Sequence, residues 1–95
     1  MAYRLSRRAA ADLLRIYVEG GELFGNAQAD RYHARLERLF RLLAENPRMA
    51  RERLELSPRL RAHPCGSHVI LYTIEPGGIL IVRVRHGRED WTSTP

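Results

Sequence analysis

Lysine is absent from this 95-residue chain, and all sixteen basic side chains are arginine. Against eleven acidic residues they give a formal charge of +5 at pH 7. The guanidinium group stays charged when it is desolvated, and it forms two-point contacts with carboxylates and phosphates. The composition therefore predicts an acidic partner, either nucleic acid or an acidic protein segment. A codon bias toward arginine explains the missing lysine equally well.

Other absences exclude whole classes of protein. A single cysteine, Cys65, excludes an internal disulfide framework and fits a reducing compartment. No apolar run approaches the roughly 18 residues of a membrane span, and residues 1–8 lack the apolar core of a secretory signal. We therefore expect a cytoplasmic protein without membrane contact. The glycines at 77–78 lack the spacing of a phosphate-binding loop, which makes nucleotide hydrolysis unexpected.

The first third of the chain predicts a strand followed by a helix. Residues 2–6 alternate in polarity and end at Ser6, which is suited to cap a helix. Within that helix, Arg8 and Asp12 are one turn apart and can form an ion pair. The helix is expected to end or kink at residues 20–21, because two consecutive glycines have low helix propensity.

The second helix has the clearest period in the chain. It is expected to follow a turn at Gly25, with Asn26 as its cap, and to end at residues 46–47. Its apolar face comprises Tyr32, Leu36, Leu39, Phe40 and Leu43. A second stripe comprises Arg31, Arg35, Arg38 and Arg41. We interpret that stripe as a solvated face, supported by ion pairs of Arg41 with Glu37 and Glu45.

The second half of the chain predicts a loop and three strands. Residues 48–58 have no period and predict a surface loop with one helical turn near 51–56. Strands are expected at 59–63, 67–74 and 79–86. Residues 1–95 are thus predicted to form one α+β domain, in which an N-terminal strand, a two-helix hairpin and a three-stranded antiparallel segment build one sheet.

The last predicted strand has one face of mixed character. Strict alternation places Leu80, Val82 and Val84 on one face. The other face then comprises Ile79, Ile81, Arg83 and Arg85. A face that mixes isoleucine with arginine suits an acidic, amphipathic partner. The tail at residues 87–95 has no period and is expected to be loosely held.

Candidate chemistry is limited to two clusters. Residues 63–68 contain two histidines and Cys65, but one cluster is too few for a zinc site, and no motif supports a cysteine nucleophile. We expect no metal and no cofactor. The second cluster comprises Arg61, Arg83, Arg85, His86, Arg88 and Trp91. This cluster suits binding of a phosphodiester, with Trp91 stacking on a base. Cleavage would need both a general acid and a general base, and His86 is the only member of the cluster that could fill either role.

Six short segments in order resemble the ParE branch of the RelE/ParE toxin superfamily. They are Tyr3-Arg4-Leu5-Ser6-Arg7-Arg8-Ala9 with Asp12-Leu13, Gly25-x-x-Gln28-Ala29-x-x-Tyr32, Leu43-x-Glu45-Asn46-Pro47-Arg48, Leu60-Arg61, Gly66-Ser67-His68-Val69-Ile70-x-Tyr72, and Ile81-Val82-Arg83-Val84-x-His86-Gly87-Arg88. The resemblance runs from Tyr3 to about Asp90, nearly the whole chain.

The resemblance implies a toxin of a type II toxin–antitoxin pair. Its expected partner is a ParD-like antitoxin with an acidic C-terminal segment, in a heterotetramer or larger assembly, with DNA contacted only through the antitoxin. Its expected target is DNA gyrase, inhibited by binding. Antitoxin contacts are expected from Tyr17, Arg31, Arg35, Ile79, Ile81 and Arg83. Target contacts are expected from Arg83, Arg85, His86, Arg88 and Trp91.

Two alternatives remain open from the sequence. The RelE branch cleaves mRNA on the ribosome, and in this chain such a nuclease would use Arg61, Arg83, Arg85 and His86. Members of that branch often have a tyrosine or histidine near the C-terminus, whereas here Trp91 stands in that region and no tyrosine follows Tyr72, so an enzyme is the less favoured interpretation. The other alternative is a relative that has lost toxicity and serves only as a partner of its antitoxin.

Overall fold

One five-stranded sheet carries two helices in the computed structural model, which describes residues 2–95. In chain order the elements are β1 (Ala2–Leu5), α1 (Arg7–Phe24), α2 (Asn26–Glu45), β2 (Glu52–Arg53), β3 (Leu60–Cys65), β4 (His68–Glu75) and β5 (Gly78–His86). The strand order is β1-β5-β4-β3-β2; β1 is parallel to β5, and the other pairs are antiparallel. The predicted α+β architecture is confirmed. Neither helix in residues 2–95 is long and apolar enough to cross a bilayer.

The short strand β2 replaces a helical turn that the sequence predicted. Glu52 and Arg53 pair antiparallel with Arg61 and Leu60 of β3. The prediction of a helical turn was wrong at these two residues, because local sequence does not reveal the strand edge with which they pair. A single turn follows, in which the backbone N–H of Leu56 donates to the carbonyl oxygen of Arg53 at 3.2 Å. Charged side chains on such a short edge strand also discourage pairing with other chains.

Helix α1 begins where the sequence predicted and continues further than expected. The Oγ of Ser6 accepts a hydrogen bond from the backbone N–H of Ala9 at 3.0 Å, as an N-cap does. The helix then runs through Gly20 and Gly21, so the predicted break was wrong. A Cβ placed on Gly20 would lie 3.7 Å from the Cβ of Ala29 in α2. Packing between the two helices thus outweighs the low helix propensity of glycine.

Gly20→Ala is expected to raise the free energy of unfolding by about 0.5–1 kcal/mol, because alanine has the higher helix propensity and its methyl group meets Ala29 at an ordinary contact distance. Urea unfolding followed by circular dichroism measures the gain. The matched control is Gly21→Ala, whose Cβ would lie 3.0 Å from the Oδ1 of Asn26 and must displace it, so its gain is expected to be smaller. A loss of stability in Gly20→Ala would contradict the prediction.

Helix α2 agrees with its predicted period. Its periodic apolar side chains all pack in or against the core: Tyr32, Leu36, Leu39, Phe40 and Leu43. Gly25 separates the helices with a φ of 90°, which glycine adopts without strain, and it occupies the N-cap position. Asn26 is the first residue of the helix, and no side chain in the described part of the chain caps it, so the predicted role of Asn26 was wrong. The helix ends at Glu45, as predicted.

Strand β5 contains an irregularity that changes which face its side chains occupy. Tyr72 of β4 pairs with Ile81, and the preceding Leu71 pairs with Arg83. Val82 is therefore an extra residue in the ladder, as in a β-bulge. Strict alternation along the strand holds before and after this point, but not across it.

The mixed face predicted for β5 is absent as a result. Ile79, Ile81 and Val84 all pack in the core between the sheet and the helices. Ile79 and Ile81 are fully buried, so they offer no surface to an antitoxin. That part of the predicted antitoxin interface is corrected: these isoleucines stabilise the core.

The sheet face away from the helices has a second, smaller apolar cluster. Its buried members are Leu56, Leu60 and Leu71. Partly buried side chains surround them: Ala62, Val69, Val82 and Trp91. Trp91, in the segment after β5, therefore packs on this face, so the tail that was predicted to be loosely held is anchored at this residue.

Candidate functional site

The start of α1 closes the edge of β5 where β1 ends. β1 pairs only with residues 78–81 of β5. At the next residue of β5, the hydroxyl of Ser6 donates to the carbonyl oxygen of Val82 at 2.6 Å. The Oδ2 of Asp12 accepts from the backbone N–H of Val84 at 3.0 Å. Side chains of the helix thus satisfy backbone groups that a longer β1 would have paired.

The same carboxylate of Asp12 binds Arg83 inside the fold. The Nε of Arg83 donates to Oδ2 at 2.7 Å and its Nη2 donates to Oδ1 at 3.1 Å, and both residues are buried. Burial alone would raise the pKa of Asp12, but the hydrogen bonds from Arg83 and the Val84 N–H, with the charges of Arg83 and Arg15, lower it. Asp12 pairs with Arg83 and Arg15 instead of the predicted Arg8.

Arg85 holds the C-terminal tail. Because it pairs with Val69, it lies on the sheet face away from the helices. Its guanidinium donates to the carbonyl oxygen of Thr94 and, at 3.3 Å, to the carboxylate of Glu89. Its Nε has no hydrogen-bond partner among residues 2–95. The side chain is therefore mostly engaged within the chain and buried.

Trp91 covers the same face of the sheet. Its indole packs against the cluster around Leu71. The guanidinium carbon of Arg53 lies 5.1 Å from the ring centroid, a cation–π contact. The stacking role predicted for Trp91 would require these contacts to open.

His86 lies on the helix-facing side and contacts a second histidine. It pairs across the strands with His68, and the ring centroids are 5.3 Å apart. The hydroxyl of Tyr32 lies 2.6 Å from the Nδ1 of His68 and donates to the carbonyl oxygen of Cys65 at 2.9 Å. Burial, followed by the proximity of His86, lowers the pKa of His68, so this imidazole is neutral at pH 7. Gly66 makes the predicted tight turn with a φ of 57°.

The environment of Cys65 does not activate its thiol as a nucleophile. Cys65 is buried, and burial raises the pKa of its thiol, whereas a nucleophilic cysteine has a lowered pKa. Within the described part of the chain, no three histidine, cysteine, aspartate or glutamate side chains are placed to hold a metal ion.

The predicted nuclease residues do not share a site. Arg61 pairs with Tyr72 on the helix-facing side of β3 and donates to the carbonyl oxygen of Ala50 at 2.7 Å. Tyr72 in turn pairs with Ile81 of β5, which lies earlier in that strand than Arg85 and His86. Arg85 and His86 are consecutive in that strand and point to opposite faces. The cluster inferred from the sequence is therefore split.

The predicted target-binding residues differ in exposure. Arg83 and Arg85 are buried, Trp91 is partly buried and His86 is half-buried. Arg88 is exposed, and its backbone N–H donates to the Nδ1 of His86 at 3.1 Å. Arg88 is thus the exposed member of this set, and His86 and Trp91 are each partly exposed.

A cleft of about 360 Å³ opens between the end of α1, the start of α2 and the strand ends that carry His68 and His86. Its apolar lining includes Ile16, Tyr17, Leu23, Phe24, Ala29 and Leu36. Leu23 and Phe24 are 73% and 64% exposed, so large apolar side chains lie open at this cleft. Neither residue was among the contacts predicted from the sequence. The available signal was two large apolar residues directly before Gly25, outside the period of the core.

Four exposed arginines lie on α2: Arg31, Arg35, Arg38 and Arg41. Arg31 and Arg35 are within one helical turn of Tyr32, which lines the cleft. Among residues 2–95, none of the four forms an ion pair, and the Oε1 of Glu37 lies 3.4 Å from the Nε2 of His33 instead. The pairs predicted for Arg41 are therefore not formed. The hydroxyl of Tyr17, at the cleft, donates to Asp30 at 2.6 Å, and this bond raises the pKa of Tyr17.

Comparison with known proteins identifies the class. Residues 3–91 match the family described as the ParE toxin of the type II toxin–antitoxin system parDE. Toxins of this class are encoded as one half of a toxin–antitoxin pair. This chain belongs to the ParE toxin family, and the resemblance inferred from its short motifs is confirmed.

Individual relatives agree with this assignment over most of their length. The chain is 37% identical over 84 residues to Toxin ParE1 of Caulobacter vibrioides, covering 88% of this chain and 86% of that toxin. It is 35% identical over 89 residues to Toxin ParE1 of Mycobacterium tuberculosis, covering 93% and 91%. A solved structure described as the chromosomal ParDE toxin–antitoxin system from P. aeruginosa has the same fold, with a TM-score of 0.74, 22% identity and coverage of 90% of this chain and 95% of that one.

Proposed function

We propose that this toxin arrests growth by binding DNA gyrase, that it contributes no catalytic residue, and that a ParD-like antitoxin neutralises it. The observation that carries the mechanism is the separation of the residues a nuclease would use. Arg83 is neutralised by Asp12, while Arg85 and His86 lie on opposite faces of the sheet. RNA cleavage needs an acid and a base beside one phosphate, and this arrangement does not supply them.

Purified toxin is expected to inhibit supercoiling by purified gyrase and to leave mRNA intact on translating ribosomes. In the same test, induction of His86→Gln in a bacterial host is expected still to arrest growth, because glutamine keeps hydrogen-bonding groups for the target contact and loses only the capacity for proton transfer. Cleaved transcripts with unaffected supercoiling would overturn the proposal in favour of the nuclease. Normal growth on induction of the unaltered toxin would support the alternative that toxicity has been lost.

The cleft between the helices is the surface we assign to the antitoxin. It combines exposed apolar side chains with Arg31 and Arg35, which flank the cleft residue Tyr32 and form no ion pair among residues 2–95, and an acidic, amphipathic segment complements such a surface. Tyr17, Arg31 and Arg35 remain candidate contacts from the sequence analysis, and Leu23 and Phe24 join them as apolar anchors. Two toxins bound by a dimeric antitoxin would form a heterotetramer or a larger assembly.

For the target, we assign the gyrase contact to the end of β5 and the turn after it. His86 and Arg88 lie there at the surface, whereas Arg83 and Arg85 act inside the fold. The cleft also reaches His86. An antitoxin seated in the cleft would therefore lie next to the target-binding residues, which provides a direct steric route to neutralisation.

A further inference from the structure

A second hollow, of about 220 Å³, lies at the opposite end of the sheet from His86. Its lining comprises Arg48, Glu52, Arg59, Arg61, Tyr72, Thr73 and Ile74. Three of these seven residues are arginines, and they come from the segment after α2, the residue before β3, and β3 itself. Nothing in the proposed function uses this hollow.

The arginines of the hollow lack the carboxylate partners that other packed arginines of this chain have. Arg53 and Arg83 each form a close ion pair with a carboxylate. Among residues 2–95, no ion pair is formed by Arg48, Arg59 or Arg61, although Glu52 lines the same hollow. The hollow therefore has three guanidinium groups against one carboxylate, which leaves an excess of positive charge.

Two hydrogen bonds hold the walls of the hollow in place. The Nη1 of Arg61 donates to the carbonyl oxygen of Ala50 at 2.7 Å, which orients its guanidinium. The hydroxyl of the fully buried Tyr72 donates to the carbonyl oxygen of Pro47 at 2.8 Å, directly before Arg48. Both bonds tie the segment after α2 to the sheet. Part of the ordering cost of binding an anion is thus already met.

We propose that this hollow binds the phosphate backbone of duplex DNA. Guanidinium groups match phosphate oxygens in two-point contacts, and three of them lining one hollow suit neighbouring phosphates better than a single carboxylate. The aromatic residue of the lining, Tyr72, is fully buried, so the hollow has no surface on which the bases of a single strand would stack. Backbone contacts of this kind are independent of sequence.

This contact goes beyond the proposed function and differs from the expectation that DNA is reached only through the antitoxin. It also suits a toxin whose proposed target works on duplex DNA. DNA binding by the toxin alone does not depend on gyrase inhibition, so the two proposals can fail separately.

Fluorescence anisotropy of a short labelled DNA duplex, titrated with the full-length toxin alone, tests the proposal. The variant Arg48→Gln with Arg59→Gln is expected to lower DNA affinity by about tenfold or more and to reduce the slope of log affinity against log salt by about 2, since each phosphate contact contributes about 0.9. Both side chains are exposed, and the hydrogen bond of Arg61 is kept. The matched control is Arg31→Gln with Arg38→Gln, which removes the same charge from α2.

A control variant that retains DNA binding supports the hollow as the site. Equal losses in the two variants would overturn it, because the effect would then come from net charge alone. Binding of a labelled polyglutamate peptide that falls in the hollow variant, while DNA binding stays unchanged, would also overturn it and would identify an acidic protein segment as the ligand. Absence of duplex binding by the unaltered toxin at low salt would overturn it directly.

Discussion

Asp12→Ala is expected to lower the free energy of unfolding by about 3–5 kcal/mol, the usual cost of leaving one member of a buried ion pair without its partner. The guanidinium of Arg83 and the backbone N–H of Val84 both lose their acceptor inside the fold. In the unaltered protein these hydrogen bonds also anchor α1 to the part of the β5 edge that β1 does not pair with. Urea unfolding near neutral pH measures the effect.

Two further variants separate charge from packing. Arg83→Met combined with Asp12→Ala is expected to recover part of the loss, because no unpaired charge then stays buried. The matched control is Asp30→Ala, which removes an exposed carboxylate bound by Tyr17 and is expected to cost less than about 1 kcal/mol. A similarly small loss in Asp12→Ala would show that Arg83 finds another partner, contrary to the prediction.

The pH dependence of the Asp12 effect has a definite sign. The pKa of Asp12 is lower in the folded protein than in the unfolded chain, so the folded state favours the ionised carboxylate. Its contribution is complete above the unfolded pKa of about 3.9 and is lost as the pH falls further, through the folded pKa. The stability difference between the unaltered toxin and Asp12→Ala is therefore expected to be constant from about pH 7 to 5 and to shrink below about pH 4.

Leu23→Asp combined with Phe24→Asp is expected to weaken binding of the antitoxin by at least about a hundredfold. Burial of one large apolar side chain contributes about 1.5–3 kcal/mol, and the new carboxylates repel an acidic segment. Both side chains are mostly exposed in the free toxin, so the melting temperature is expected to change little. Calorimetric titration with the protein encoded by the adjacent reading frame measures the affinity.

The matched control for this variant lies on the same helix. Leu14→Asp with Val18→Asp makes the same chemical change at exposed positions outside the cleft lining. Its affinity for the antitoxin is expected to stay within a few-fold of the unaltered toxin. Equal losses in the two variants would assign the antitoxin to the whole of α1 and would contradict the cleft as its site.

Local pattern predicted the elements well where one face of an element is buried. The apolar period of α2 is such a case, because its core-facing side chains recur every three or four residues and each is packed in the structure. Local pattern failed at Gly20, where contact with Ala29 outweighs propensity, and at β2, where the partner strand decides the conformation. In each failure the deciding contact comes from another element.

The candidate site was predicted less well than the fold, because it depended on strict alternation along β5. One extra residue at Val82 moves every later side chain to the other face. Val84 then enters the core beside the helices, and Arg85 meets the tail on the other face. A bulge of this kind arises from the pairing of two strands and has no signal in one strand alone.

The sequence by itself determined the family, the order of helices and strands, and a positive charge made up entirely of arginine. Only the tertiary structure decided which arginines are free to bind. Arg83 is neutralised by Asp12, which is 71 residues away in the chain, whereas Arg48 and Arg59 line a hollow and form no ion pair with any described residue. The physical reason is that a charge is cancelled by whichever opposite charge the fold brings within contact distance, and sequence spacing does not reveal that neighbour.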